Sequence, residues 1–126
     1  MIINDPAVVA EVTDAFERYE RALLAHDADM LDAMFVASEA TVRYGVAEIQ
    51  HGIDEIRAFR ANQRPFARTL DRLVITTYGD AMATASTLFY RDDFPGQVGR
   101  QMQTWLKQDG SWRVAAAHVS MMTIPA

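Results

Sequence analysis

The chain has 126 residues, half of them apolar, and a formal charge of −5. That length suits one domain with its own core, and the acidic balance argues against general affinity for nucleic acid or an anionic membrane surface. Without cysteine there is no disulfide, thiolate nucleophile or thiolate metal site to consider.

No apolar run reaches the ~20 residues of a membrane span, and the N-terminus MIINDPAVV is not a basic-then-apolar leader. A single cytoplasmic domain over 1–126 is therefore expected. The seven methionines are expected as adaptable core filler.

Asp5-Pro6 pairs an N-cap with proline at the first helical position. Val8, Val12, Phe16, Tyr19 and Leu23 then recur every three or four residues and predict one apolar helical face, with Glu17, Arg18, Glu20 and Arg21 on the wet side. His26-Asp27 breaks this helix and caps a short second one carrying Met30, Leu31, Met34 and Phe35. A short strand is expected near 40–44. Gly52 precedes a third helix in which Ile53, Ile56 and Phe59 are the buried positions, and Arg64-Pro65 ends it.

Beyond this point β-branched and aromatic residues dominate. Segments 69–78, 81–91, 98–107 and 112–122 predict long strands. Gly79-Asp80, Phe94-Pro95-Gly96-Gln97 and Asp109-Gly110 separate them, the last being a tight-hairpin signal. Three helices with an inserted strand, followed by a four-stranded antiparallel meander, make an α+β domain with helices on one face of a curled sheet. Such a sheet leaves a pocket between the layers.

His26, His51 and His118 stand apart without HxH or HExxH spacing, so neither a metal nor a cofactor is expected. No GxSxG elbow, GxGxxG or P-loop pattern occurs. Alternation puts Trp112, Val114, Ala116, His118 and Ser120 on one strand face. His118 is then either a core histidine bonded to a backbone carbonyl or a site residue given room by its alanine neighbours. Tyr19 is either an ordinary buried tyrosine or a proton donor in the pocket.

Arg43 alternates with Val42 and Tyr44, and the register that decides whether it faces solvent or the cone is open. If it faces inward it needs an anion. Arg57, Arg60 and Arg64 form a basic stripe expected to be solvated, with Arg60 at the pocket mouth as the alternative. Arg100 and Gln101 open the polar strand RQMQTW, in which every buried polar group must be paired.

Six blocks in order, AFERYERAL (15–23), TVRYG (41–45), GIDEIRAFR (52–60), VITTYGD (74–80), GRQMQTW (99–105) and WRVAAAHVS (112–120), resemble the AtzH-like proteins, also known as oxalurate-catabolism proteins of the HpxZ type. These are members of the nuclear transport factor 2-like superfamily, which includes ketosteroid isomerase and SnoaL-type cyclases. The resemblance implies a cone-shaped, cystatin-like fold and a homodimer formed through the sheet.

It also implies metal-free decarboxylative hydrolysis of 1,3-dicarboxyurea to allophanate in nitrogen catabolism, with Tyr19 and Arg43 as the catalytic residues. His118 joins them as a third candidate, and Arg60, Arg100, Gln101, Trp105 and Ser120 are candidates for binding a small anionic substrate. Where ketosteroid isomerase-like members carry a catalytic aspartate, this chain has Arg43-Tyr44, so base-catalysed enolisation is not expected and an acid is the preferred ligand. The alternative is a non-catalytic dimer that docks an amidohydrolase through the GRQMQTWLK surface and Trp105.

Overall fold

A computed structural model describes residues 1–125. Helix α1 spans Pro6–Leu24, and the Asp5 carboxylate accepts from the Ala7 backbone N–H at 2.9 Å. Helix α2 is Ala28–Ala33, capped by Asp27, whose side chain accepts from the Met30 N–H at 3.2 Å. Strands β1 (Val42–Tyr44) and β2 (Ile49–His51) form a small hairpin ahead of α3 (Ile53–Ala61). The long strands follow: β3 (Arg68–Tyr78), β4 (Met82–Arg91), β5 (Gln97–Gln108) and β6 (Ser111–Thr123). No helix among the described residues is long and apolar enough to cross a membrane.

The six strands make one sheet in the order β2-β1-β6-β5-β4-β3. The meander β3 to β6 is antiparallel as expected. The sheet is not wholly so, because β1 runs parallel to β6, with Arg43 opposite Ala117. At the β5–β6 turn, Asp109 and Gly110 take φ values of 52° and 78°, the left-handed pair that a two-residue hairpin needs.

Two bulges bend the sheet. One lies between Asp71 and Val74 of β3; the other is where Thr104 pairs with Ala116 but Trp105 pairs with Val114, leaving Ala115 as an extra residue in β6. The bends wrap the sheet around α1, whose Val12, Ala15, Phe16 and Tyr19 meet Ala83, Ala85, Trp105 and Val114 in the core.

Of the methionines, Met34 lies in the core, whereas Met1, Met30, Met82, Met102 and Met122 are exposed. The expectation of Met as core filler is corrected: alternation along β5 turns Met102 away from the helices because Gln101, Gln103 and Trp105 face them.

Candidate functional site

Thr41 and Arg43 point into the cone and Tyr44 points out. The phase is set by β2: Arg43 sits directly opposite Gln50 in the β1–β2 ladder, and both side chains are buried. Nη1 of Arg43 donates to Gln50 Oε1 at 2.9 Å and to Glu48 Oε1 at 3.2 Å. Its guanidinium carbon lies 4.5 Å from the centre of the Phe59 ring, a cation–π platform supplied by α3. Among the described residues the Nε and Nη2 groups, which form the side-on fork that grips carboxylates, have no protein partner.

Burial pushes the Arg43 pKa below its ordinary value. Tyr19 and Glu48 oppose that shift, while the charge of Arg60 adds to it. An arginine stays protonated through such a shift, so its cost is relieved when an anion binds.

Arg43 and Tyr19 line one cavity of about 40 Å³, together with Glu48, Arg60, Gln63, Arg68, Arg91, Gln101 and Gln103 and apolar walls that include Leu23, Phe66, Phe89 and Val119. That volume holds a few waters. The Tyr19 ring packs edge-on against Phe35 and Trp105, each centroid 6.1 Å away, which fixes the direction of the hydroxyl. No described side chain hydrogen-bonds that hydroxyl, so it is free to act on a molecule in the cavity.

Arg60, expected on a solvated stripe, is 1% exposed. Arg57 and Arg64 are exposed, and α3 ends before Arg64, so the stripe is not a continuous face. The signal was present in the spacing: Arg60 follows Ile53 by seven and Ile56 by four, which is the buried face of the helix.

Arg68 at the start of β3 escaped the sequence reading, as did its partner Glu20. Arg68 donates from Nε and Nη2 to the two Glu20 oxygens at 2.9 and 2.5 Å, and from Nη1 to Gln101 Oε1 at 3.0 Å. Glu20 is therefore not on the wet side of α1. Its position four after Phe16 and three before Leu23 places it at the rim of the apolar face.

The other candidates are not brought to the cavity. Beyond the Ala115 bulge, Ala117 and Val119 face inward while Ala116, His118 and Ser120 face the outer surface of the sheet, so β6 does not present one face from Trp112 to Ser120. His118 is accordingly neither a core histidine nor a cavity residue. It lies on the outer surface, with its ring centre 5.8 Å from that of Tyr44. Arg100 is also on that face, and its Nε donates to Ser120 Oγ at 3.1 Å.

Trp105 is wholly buried beneath Tyr19 and donates to Gln103 Oε1 at 3.1 Å, so it is structural support and not a ligand contact. Because Gln101, Gln103 and Trp105 face inward, the amides and the indole of GRQMQTWLK are not exposed, and the segment shows Arg100 and Met102 to the outer surface. Among the described residues no group of three His, Asp or Glu side chains clusters as metal ligands do.

Three helices on one face of a curved sheet, enclosing a cavity at the cone's polar end, define a nuclear transport factor 2-like, cystatin-like protein. The chain belongs to the AtzH-like family, whose sequence profile matches residues 1–124.

A cystatin-like fold protein from Burkholderia xenovorans superposes with a TM-score of 0.95 at 46% identity, covering 99% of each chain. A protein of unknown function of the DUF3225 family from Pectobacterium atrosepticum gives 0.92 at 50% identity, over 96% of this chain and 95% of that one. A nuclear transport factor 2-like superfamily protein from Salmonella enterica gives 0.74 at 22% identity, over 96% and 94%, which shows the shared fold alone. No curated protein matches the chain.

Proposed function

We propose that the protein is a metal-independent hydrolase that removes a carboxyl group from a small N-carboxylated urea. The observation that supports this is one small enclosed cavity in which the free fork of Arg43 and the unpartnered hydroxyl of Tyr19 both line the wall. A bidentate guanidinium–carboxylate pair positions a flat acid and is among the stronger polar contacts available in a desolvated site.

In this reading Arg43 holds one carboxylate, and Tyr19 gives its proton to the urea nitrogen that carries the departing carboxyl group. The C–N bond then breaks, its electron pair stays on nitrogen, carbon dioxide leaves and takes up water as bicarbonate, which makes the net reaction a hydrolysis, and solvent restores the tyrosine proton. A carbamate whose nitrogen is protonated loses carbon dioxide readily, so positioning and one proton donor suffice. With 1,3-dicarboxyurea the product is allophanate.

The test is to add the protein to freshly generated 1,3-dicarboxyurea and follow allophanate by mass spectrometry. A rate no greater than that without protein would sink the reading.

We also infer a homodimer through the outer face of the sheet. Met102, Val74 and Tyr44 stand 56%, 54% and 37% exposed on a surface that no helix covers. Sedimentation should show a dimer that Met102→Glu shifts toward monomer; a monomeric wild type would contradict it.

A further inference from the structure

Part of the wall of the Arg43–Tyr19 cavity belongs to no helix or strand. Gln63 and Phe66 line the cavity from the connection between α3 and β3, beside Arg91 at the end of β4. This side meets solvent, since the Arg91 side chain is 19% exposed and that of its partner Asp93 49%.

The connection is anchored at both ends and free between them. The Gln63 N–H donates to the Arg60 carbonyl at 3.2 Å, and Gln63 Oε1 accepts from Arg60 Nη1 at 2.6 Å. At the other end the Asp92 N–H donates to the Ala67 carbonyl at 3.2 Å, and the Ala67 N–H donates to Asp92 Oδ1 at 3.2 Å. Arg64 and Phe66 make no backbone hydrogen bond among the described residues, and Pro65 has no N–H to give.

A side-chain contact holds the middle. The Arg91 guanidinium lies over two rings at once, its carbon 3.9 Å from the centre of Phe66 and 4.9 Å from that of Phe94. Its Nε and Nη2 donate to both Asp93 oxygens at 2.8 and 2.6 Å. Phe94 is fixed in the β4–β5 turn, where its N–H donates to the Arg91 carbonyl and its own carbonyl accepts from the Gln97 N–H.

The other walls are tied more firmly. Gln101, Gln103, Ala117 and Val119 sit in the sheet ladder, and Tyr19 and Leu23 sit on α1 in the core. The β1–β2 turn is closed by the Gly45 N–H on the Glu48 carbonyl at 2.9 Å and by Arg43 on the Glu48 carboxylate. About 40 Å³ has room for a few waters, so a larger solute enters where a wall yields.

We propose that segment 63–67 is the door of the cavity, latched by the contact of Phe66 with Arg91, and that it opens as Phe66 leaves the guanidinium. Phe94 and Asp93 are positioning residues: they hold Arg91 and do not line the cavity. Such a door governs access for any solute, acidic or not.

The test places one thiol in a chain that has none. Leu23→Cys puts it on the cavity wall, and in a separate protein Ala85→Cys puts it in the core away from the cavity. Each is treated with the neutral reagent methyl methanethiosulfonate under native conditions, and labelling is followed by mass spectrometry. Adding Phe94→Ala should speed labelling of the Leu23→Cys chain at least ~3-fold, the factor by which one exposed cation–π contact favours the closed form. Because Phe94 does not line the cavity, faster labelling is not a widened opening. The Ala85→Cys chain should label at an unchanged rate. An unchanged rate at position 23, or an equal rise at position 85, overturns the door. If Phe94→Ala does not fold, Asp93→Ala, at an exposed position, carries the same readings. Neither result bears on whether the cavity takes an acid.

Discussion

Arg43 and Gln50 are direct partners across the β1–β2 ladder, and the arginine donates to the glutamine Oε1 at 2.9 Å. A strand of three residues thus does the work of aiming a buried cation. Gln50→Leu should release the guanidinium from its place over Phe59. The expected result is a KM raised about tenfold with a smaller change in kcat, since the lost contact orients the group that holds substrate. An unchanged KM would mean that Phe59 and Glu48 hold Arg43 unaided.

The two proposed catalytic groups give a sharper test. Arg43→Ala should lower kcat/KM by ~100-fold or more, and Tyr19→Phe should lower kcat by ~100-fold while barely moving substrate affinity. Melting temperatures should stay close to wild type for Tyr19→Phe, because its hydroxyl has no partner among the described residues to lose. Retained turnover in both variants would remove the pair from the mechanism.

Glu48 occupies one nitrogen of Arg43 from a side chain that is 28% exposed, at the end of the β1–β2 turn. An incoming carboxylate on the Nε–Nη2 fork competes with it electrostatically, because Glu48 stays on Nη1 and the two negative charges repel. Glu48→Gln should therefore tighten the binding of small acids a few-fold, measured by calorimetry at constant pH. Weaker binding would show that Glu48 contributes to the site instead of competing for it.

Gly99 stands opposite Phe89, and a Cβ there would lie 2.1–2.4 Å from three atoms of the Phe89 ring. Phe89 is in turn the platform beneath Arg68, 4.8 Å from the guanidinium carbon. Gly99→Ala should push the ring toward the cavity, destabilise the fold by about 1–3 kcal/mol and abolish acid binding. Full binding with unchanged melting would show that the ring has another place to go.

Burial pushes the Asp32 carboxyl above its usual 3.8, against the pull of Arg60 and Arg57. The folded chain therefore binds a proton there more tightly than the unfolded chain does. Stability from this group is lost as pH rises through the folded pKa and is fully present below the unfolded one. Asp32→Asn should melt above the wild type at neutral pH, and the two should converge as pH falls toward 3.8. A variant less stable than wild type at neutral pH would show instead that Arg60 depends on the Asp32 charge.

The layout of the chain was readable because its helices carry long apolar periods and its turns carry Gly, Pro and Asp-Gly. The direction of Arg43 was not, since three residues of alternation have no phase until a neighbouring strand supplies one, and Ile49-Gln50-His51 is too short to announce itself. Arg60 matches Arg57 and Arg64 in charge but Ile53 and Ile56 in spacing, and the spacing decides its burial. The pairing of Arg68 with Glu20 spans 48 positions, and no local pattern signals such a contact. For His118 the alternation rule was sound as far as Val114, and it failed at one inserted residue.

That residue, Ala115, sets the parity of everything after it in β6. Excising it would leave Ala116 opposite Thr104 and every later side chain facing as it does, because Ala115 is the residue that β5 leaves unpaired. Keeping it and ironing out the bulge, a slip of one residue, would set Ala116 against Gln103 and His118 against Gln101, and an imidazole and a hydroxyl would replace the hydrocarbon ceiling of Ala117 and Val119. Within such a cone, new reactive chemistry can be reached by sliding residues the strand already carries, without substituting any of them.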